Sequence, residues 1–181
     1  MSGRTPLLRA PTTEDGADIW RLASSCGLDP NSPYLYLLWC RDFADTSVIA
    51  TVDESSVGFI SGFRRPAEPE TLFVWQVAVA KQWRRQGLAL SLLAHLRDRL
   101  APAGLRFVEA SVTSSNDASV GLFRSLAASS GTELMSSELF GADLFPSESP
   151  HDAEVLVRVG PFANGGRTHR ARASVAGPAS A

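Results

Sequence analysis

Apolar positions recur along this chain with two different periods. Leu92, Leu93 and Leu96 lie at helical spacing within residues 88–100, which predicts an amphipathic helix there. A shorter apolar run at residues 72–79 is bounded by polar segments, which is typical of a strand buried in a sheet. Along the whole chain, these patterns predict strands and helices in the order β-α-α-β-β-β-α-β-α-β-β. This order predicts one mixed α/β sheet with helices on its faces.

Caps, turn residues and the ends of the apolar runs set the predicted boundaries. Strands are predicted at residues 7–10, 48–52, 57–63, 72–79, 107–112 and 155–159. Helices are predicted from Thr12 or Thr13 to Gly27, over residues 34–40, from Gly87 onward, and after a cap at Ser114, Ser115 or Asn116. The apolar run at 34–40 also fits a strand. Residues 53–56 form a four-residue polar turn, which predicts a hairpin between the strands on either side.

Composition excludes several classes of protein. The 181 residues are 44% hydrophobic and 20% charged, as in an ordinary globular domain. No apolar run approaches the roughly 18 residues of a membrane span, and the N-terminal residues lack the apolar core of a signal peptide. Cys26 and Cys40 form no metal-binding pattern, which predicts reduced structural thiols and no metal. We therefore predict a cytoplasmic protein without membrane contacts.

Charge is distributed unevenly between the two ends of the chain. The formal net charge is −2, and residues 163–181 contribute three arginines and no acid, so residues 1–162 together carry −5. An acidic domain argues against nucleic acid as the main ligand. The last residues have no periodicity and few apolar anchors. We predict a folded domain at residues 5–162 and a disordered tail at residues 163–181.

The most informative segment joins the strand at residues 72–79 to the helix that follows. The first turn of a helix leaves backbone N–H groups unpaired and carries a partial positive charge, so it attracts anions. Gly87 and Ala89 leave room for a phosphate to approach the backbone. Arg84 and Arg85 add permanent positive charge. These features together predict a polyphosphate site.

Two common nucleotide motifs, G-x-x-x-x-G-K-[ST] and G-x-G-x-x-G, are absent from the sequence. The loop instead contains Arg84-x-x-Gly87-x-Ala89, which resembles the acetyl-CoA pyrophosphate loop of the GCN5-related N-acetyltransferases, the GNAT family. The resemblance implies a sheet of about seven strands with about four helices, its fourth and fifth strands splayed to admit acetyl-CoA. It also implies cofactor contacts from Val77, Val79, Arg84, Arg85, Gln86, Gly87, Leu88 and Ala89.

A second segment, residues 116–123, is similar to the family pattern Asn-x-x-Ala-x-x-Leu-Tyr. The resemblance implies that Asn116 contacts the pantetheine arm and that Ser119 also binds the cofactor. The alanine is displaced to Ala118, and Phe123 stands where the family has a tyrosine that can protonate the departing thiolate. Phenylalanine has no proton to give. A general acid must then come from elsewhere, or the thiolate leaves unassisted.

The chemistry of the family is direct attack of an amine on a thioester within a ternary complex. The amine must be neutral to attack, so a carboxylate, a histidine or a water chain takes its proton. By resemblance, a strand amide near Val77 stabilises the oxyanion. No serine or cysteine intermediate is required, and the sequence contains no triad pattern.

Further strings resemble one branch of the family, the L-2,4-diaminobutyrate acetyltransferases of ectoine biosynthesis. They lie at residues 11–16, 28–34, 43–47, 72–79 and 151–154. The resemblance implies acetylation of the γ-amine of L-2,4-diaminobutyrate, giving N-γ-acetyl-L-2,4-diaminobutyrate for synthesis of the compatible solute ectoine under osmotic stress. It also implies a homodimer.

The branch implies which residues line the acceptor pocket. Asp29 would pair with an ammonium group, Tyr34 would donate to the carboxylate, and Trp75 would cover the methylenes. His151 and Glu154 are the candidates for proton removal. By residue pattern alone, Trp75 and Tyr34 are equally typical of a core, and the other three are typical of solvated loops or turns.

Two alternatives to this function stay open at the level of sequence. One is a GNAT enzyme that acetylates another small amine or a peptide amine. The other is a non-catalytic CoA-binding module, which the loss of the tyrosine at Phe123 makes conceivable.

Overall fold

The computed structural model describes residues 4–28 and 31–163. Its sheet has seven strands: β1 (Leu7–Arg9), β2 (Val48–Val52), β3 (Ser55–Arg65), β4 (Glu68–Val79), β5 (Phe107–Thr113), β6 (Glu133–Phe140) and β7 (Glu154–Gly160). The α-helices of this described part are α1 (Gly16–Ser25), α2 (Pro33–Asp42), α3 (Leu88–Leu100) and α4 (Asp117–Ser130). The element order and the mixed α/β class predicted from the sequence are confirmed.

The sheet opens between its two central strands. Its order is β1-β2-β3-β4-β5-β7-β6, and β4 and β5 form its parallel pair. They pair only over residues 71–74 and 107–110. Beyond this stretch β4 continues along β3, while β5 continues along β7. A gap therefore opens between β4 and β5, as the family resemblance implied.

The helices cover the sheet from both faces. On one face α3 and α4 build the larger core, in which Leu92, Leu93 and Leu96 are fully buried. Fully burying one such leucine contributes about 1.5–3 kcal/mol. On the other face α1 and α2 pack a smaller core around Tyr36 and Phe59. The helical spacing of the apolar residues thus fixes which side of each helix meets the sheet.

Local sequence explains where several elements begin. The Ser32 hydroxyl accepts from the N–H of Tyr34 at 3.3 Å, and Pro33 follows this cap, so the run after it forms helix α2 and not a strand. The four-residue turn predicted at residues 53–56 is wrong. Only Asp53 and Glu54 turn, with φ values of 48° and 65°, because the two serines after them already pair with β2.

Some predictions fall on other parts of the chain. Asp29 lies outside the described residues, as does the predicted tail apart from Ala163. Within the described ranges, no helix has the length and apolar character needed to cross a membrane. Cys26 and Cys40 are both unpaired thiols, and burial raises the pKa of Cys40 to about 11.

Candidate active site

A cavity of about 430 Å³ occupies the gap between β4 and β5. It is bounded by the connection between α1 and α2, the start of α4, and the connection between β6 and β7. Its lining residues are Leu28, Asn31, Phe73, Val74, Trp75, Gln76, Val77, Ala110, Ser111, Val112, Asn116, Ser119, Phe123, Phe140, Phe145, His151 and Glu154. The cavity therefore gathers segments that lie far apart in the sequence.

The main chain of β4 faces this gap at Val77 and Val79. The N–H of Ala80 donates to the carbonyl of Val57 in β3 at 2.9 Å. Main-chain groups point alternately to the two sides of a strand, so the N–H groups of Val79 and Val77 point away from β3. The pairing with β5 has already ended at Val74. Both N–H groups are thus directed to the side where a thioester would enter.

A β-bulge aims Trp75 into the cavity. Ser61 pairs with Gln76 and Gly62 with Val74, so Trp75 is an extra residue on β4. Such a bulge bends the strand and redirects the side chain. The Trp75 ring is 50% exposed and lies 5.6 Å from the ring of Trp39. Trp75 is therefore in contact with Trp39 and remains half exposed at the cavity.

The loop before α3 has the geometry of an anion site. Gly87 has φ +79°, and nothing lies within 4 Å of the position that a Cβ would occupy. Among the residues described, no side chain caps this helix, so the N–H groups of its first turn remain without that partner. The Nε of Arg84 donates to the carbonyl of Val79 at 2.9 Å, which ties the basic loop to the end of β4.

The start of α4 lies on the same edge of the sheet. The Oδ1 of Asn116 accepts from the N–H of Ser119 at 3.1 Å, which confirms Asn116 as the helix cap. Both residues line the cavity, and Phe123 closes it from the core, where it is 1% exposed. Because α3 and α4 both follow the carboxyl ends of parallel strands, their N-termini flank one crevice.

Glu154 and His151 face each other at the opposite wall. Oε1 of Glu154 lies 3.7 Å from Nε2 of His151, and Oε2 accepts from the Ser111 hydroxyl at 2.6 Å. The Nδ1 of His151 lies 2.7 Å from the carbonyl oxygen of Asp152. A carbonyl only accepts, so Nδ1 carries the hydrogen and Nε2 of the neutral ring is an acceptor. The ring stacks on Phe145 with centroids 4.5 Å apart.

The predicted site residues do not all converge in this chain. Val77, Asn116, Ser119, Trp75, His151 and Glu154 line the cavity, whereas the loop residues lie at the edge of the sheet beyond it. Tyr34 is 68% exposed on the first turn of α2 and lies outside the cavity lining. Among the described lining residues there is a carboxylate but no lysine or arginine. This agrees with a pocket that accepts ammonium groups.

Three polar lining residues, Asn31, Gln76 and Ser111, were not predicted as site residues, and the last two lie within strands. The Oε1 of Gln76 accepts from the buried Tyr36 hydroxyl at 3.0 Å, and Ser111 holds Glu154. Each interrupts an apolar strand, at residues 72–79 and 107–112 respectively. A polar residue inside such a run needs a partner when it is buried, and that signal was available in the sequence.

The sequence of this chain is similar to acetyltransferases of one family. The acetyltransferase (GNAT) family model matches residues 16–127. The L-2,4-diaminobutyric acid acetyltransferase of Nocardia farcinica is 47% identical over 160 residues, which cover 88% of this chain and 82% of that protein. The protein of the same name from Shouchella clausii is 46% identical over 161 residues, covering 88% of this chain and 90% of that protein.

Solved structures of acetyltransferases are also similar to this chain. The diaminobutyrate acetyltransferase EctA of Paenibacillus lautus, in complex with its substrate L-2,4-diaminobutyric acid and coenzyme A, has a TM-score of 0.84 and 44% identity. The match covers 90% of this chain and 98% of that one. The ribosomal-protein-S18-alanine N-acetyltransferase of Escherichia coli has a TM-score of 0.66 at 18% identity, covering 90% and 97%, and so shares the fold.

Proposed function

The chain belongs to the GNAT family of acetyltransferases and, within it, to the L-2,4-diaminobutyric acid acetyltransferases. From this premise we propose that the protein transfers the acetyl group of acetyl-CoA to the γ-amine of L-2,4-diaminobutyrate. The product is N-γ-acetyl-L-2,4-diaminobutyrate. The single observation that carries this proposal at the level of geometry is the pair of acceptors on Glu154 and His151 inside the cavity between β4 and β5.

Acetyl-CoA fits the edge of the sheet where two helices begin. The uncapped first turn of α3 and the open space at Gly87 suit a pyrophosphate group, with contacts from Arg84, Arg85, Gln86, Gly87, Leu88 and Ala89. Asn116 and Ser119 at the start of α4 would contact the pantetheine arm. The N–H groups of Val77 and Val79 would donate to the thioester end, where the carbonyl gains negative charge.

The γ-amine fits between Glu154 and His151. Two acceptors 3.7 Å apart are within reach of a single ammonium group, which has three donors to offer. Glu154 then takes a proton from the ammonium group, leaving a neutral amine that can attack. His151 holds the same nitrogen through Nε2. Because its Nδ1 hydrogen is committed to the Asp152 carbonyl, the ring keeps its acceptor directed at the amine.

The remainder of the substrate meets aromatic and neutral polar groups. Trp75 would cover the methylene groups and interact with a cationic ammonium through its ring. Gln76, held by Tyr36, would offer its NH₂ group to the carboxylate. Asp29 and Tyr34 remain proposed substrate contacts by family resemblance. Phe123 has no proton, so protonation of the departing thiolate does not involve the side chain at this position.

Three further features belong to the same proposal. The product serves the synthesis of ectoine, a compatible solute made under osmotic stress. The protein is a homodimer, which is supported by large apolar side chains on its surface outside the cavity, among them Leu37, Met135 and Leu144. It acts in the cytoplasm, where the unpaired thiols of Cys26 and Cys40 would stay reduced.

Steady-state kinetics with a panel of amines test the proposed reaction. Purified protein and acetyl-CoA are incubated with diaminobutyrate, ornithine, lysine or a short peptide, and thiol release is followed. We expect kcat/KM for diaminobutyrate to exceed the others by at least about tenfold. Equal rates with all amines would indicate a less selective acetyltransferase. Thermal stabilisation by acetyl-CoA without thiol release from any amine would indicate a non-catalytic CoA-binding module.

A further inference from the structure

Ser111 makes one of the shortest side-chain hydrogen bonds in the cavity. Its hydroxyl lies 2.6 Å from Oε2 of Glu154, a distance typical of an O–H donor to an ionised carboxylate. The two residues are diagonal neighbours across β5 and β7, because Ser111 pairs with Leu156 and Glu154 with Thr113. The Glu154 side chain is only 14% exposed, so little water competes for this contact.

The hydrogen bond distinguishes the two oxygens of Glu154. A free carboxylate turns about its last torsion and presents either oxygen. Here Ser111 holds Oε2, and the other oxygen, Oε1, is the one that faces Nε2 of His151 at 3.7 Å. The acceptor pair that receives the amine therefore depends on a group from the neighbouring strand.

We propose that Ser111 is a positioning residue for amine deprotonation: its hydroxyl fixes the Glu154 carboxylate so that Oε1 is directed at the acceptor nitrogen. This inference rests on the proposed function, since it assumes that Glu154 takes the proton of the amine. Ser111 itself exchanges no proton with the substrate. It acts on the rate by keeping one productive orientation of its partner.

The chain contains a closely matched control. Ser137 on β6 pairs with Leu156 from the other side, so Ser111 and Ser137 lie at the same level and on the same face of the sheet. Ser137 is exposed and lies outside the cavity lining. Replacing Ser137 with alanine removes a hydroxyl at the same level of the sheet and leaves the hydrogen bond between Ser111 and Glu154 in place.

The test compares Ser111→Ala, Ser111→Thr and Ser137→Ala with the wild type, using kcat/KM for diaminobutyrate and KM for acetyl-CoA. We expect Ser111→Ala to lower kcat/KM about tenfold or more, at unchanged KM for acetyl-CoA. The melting temperature should fall by no more than a few degrees, because a single hydrogen bond to Glu154 is lost. Ser111→Thr, which keeps the hydroxyl, should recover most of the activity. Ser137→Ala should match the wild type.

A double-mutant cycle separates positioning from independent packing. In a Glu154→Gln background, Ser111→Ala should cost less than about twofold, because the carboxylate base that Ser111 positions is already absent. Wild-type kinetics for Ser111→Ala, or a full tenfold loss in the Glu154→Gln background, would overturn the role of Ser111 and leave the proposed function in place. A wild-type protein that does not acetylate diaminobutyrate would overturn the proposed function and this inference together.

Discussion

The two sides of the cavity are built in different ways. The proposed cofactor side comes mainly from one stretch, residues 77–89, which offers backbone N–H groups, and is completed by Asn116 and Ser119 at the start of α4. The proposed acceptor side comes from the α1–α2 connection, β4, β5, the β6–β7 connection and the start of β7, and offers side chains. A backbone site depends on local conformation, so one glycine at φ +79° can control it. A side-chain site depends on the tertiary fold and can change while the cofactor side stays the same.

Replacing Glu154 with alanine should produce the largest effect of any single change. It removes the proposed base and one of the two acceptors for the amine. We expect kcat/KM for diaminobutyrate to fall about 10²–10⁴-fold, while KM for acetyl-CoA stays within about twofold of the wild type. Steady-state kinetics with each substrate varied in turn measure both. Glu148→Ala is the matched control and should be neutral, because Glu148 is an exposed carboxylate on the connection that precedes β7.

Replacing Gly87 with glutamate should have the opposite selectivity. A side chain at φ +79° is strained, and its charge would meet the pyrophosphate. We expect KM for acetyl-CoA to rise about tenfold or more. Gly104→Glu is the control, because Gly104 has a similar φ of +81° and open surroundings away from the cavity. An unchanged KM for acetyl-CoA in Gly87→Glu would refute the assignment of this loop.

Trp75→Ala should affect the acceptor side more moderately. It removes the ring that covers the methylene groups and leaves the Glu154–His151 pair in place. We expect KM for diaminobutyrate to rise about tenfold with a smaller change in kcat. Trp75→Phe keeps an aromatic face, so its KM for diaminobutyrate should lie between those of the wild type and Trp75→Ala. If Trp75→Ala binds diaminobutyrate as well as the wild type does, the ring packs on Trp39 without serving the substrate.

The smallest expected effect comes from replacing His95 on α3, and it concerns the pH dependence of stability and not cofactor binding. Burial, and then the charge of Arg99, lower the pKa of His95 below the ordinary histidine value of 6.5. The folded state therefore favours the neutral ring. The contribution of neutral His95 to the free energy of unfolding is present above pH 6.5 and is lost as the pH falls through the lower pKa of the folded state.

Melting curves between pH 7.5 and 5.5 test this contribution. The wild type should lose slightly more stability on acidification than His95→Gln does, by about 1–3 °C in Tm. KM for acetyl-CoA at pH 7.5 should be the same in both proteins. A parallel loss of stability in the two proteins would contradict the role assigned to His95.

The same contrast explains how much the sequence could predict. The order of elements and the anion loop depend on local patterns, and the structure confirms the element order. The bulge at Trp75 is invisible in an apolar run, because one extra residue does not change its composition. The contact between Ser111 and Glu154 depends on how β5 and β7 pair. Without family resemblance, His151 and Glu154 are typical of an ordinary solvated loop.

The position of the acetyl group on the product tests the central claim most directly. Wild-type protein is incubated with acetyl-CoA and L-2,4-diaminobutyrate, and the product is examined by NMR. A γ-amine held by Glu154 and His151 predicts acetylation at the γ-nitrogen alone, with the α-amine unmodified. Acetylation at the α-nitrogen, or a mixture of both products, would contradict the placement of the γ-amine at this pair.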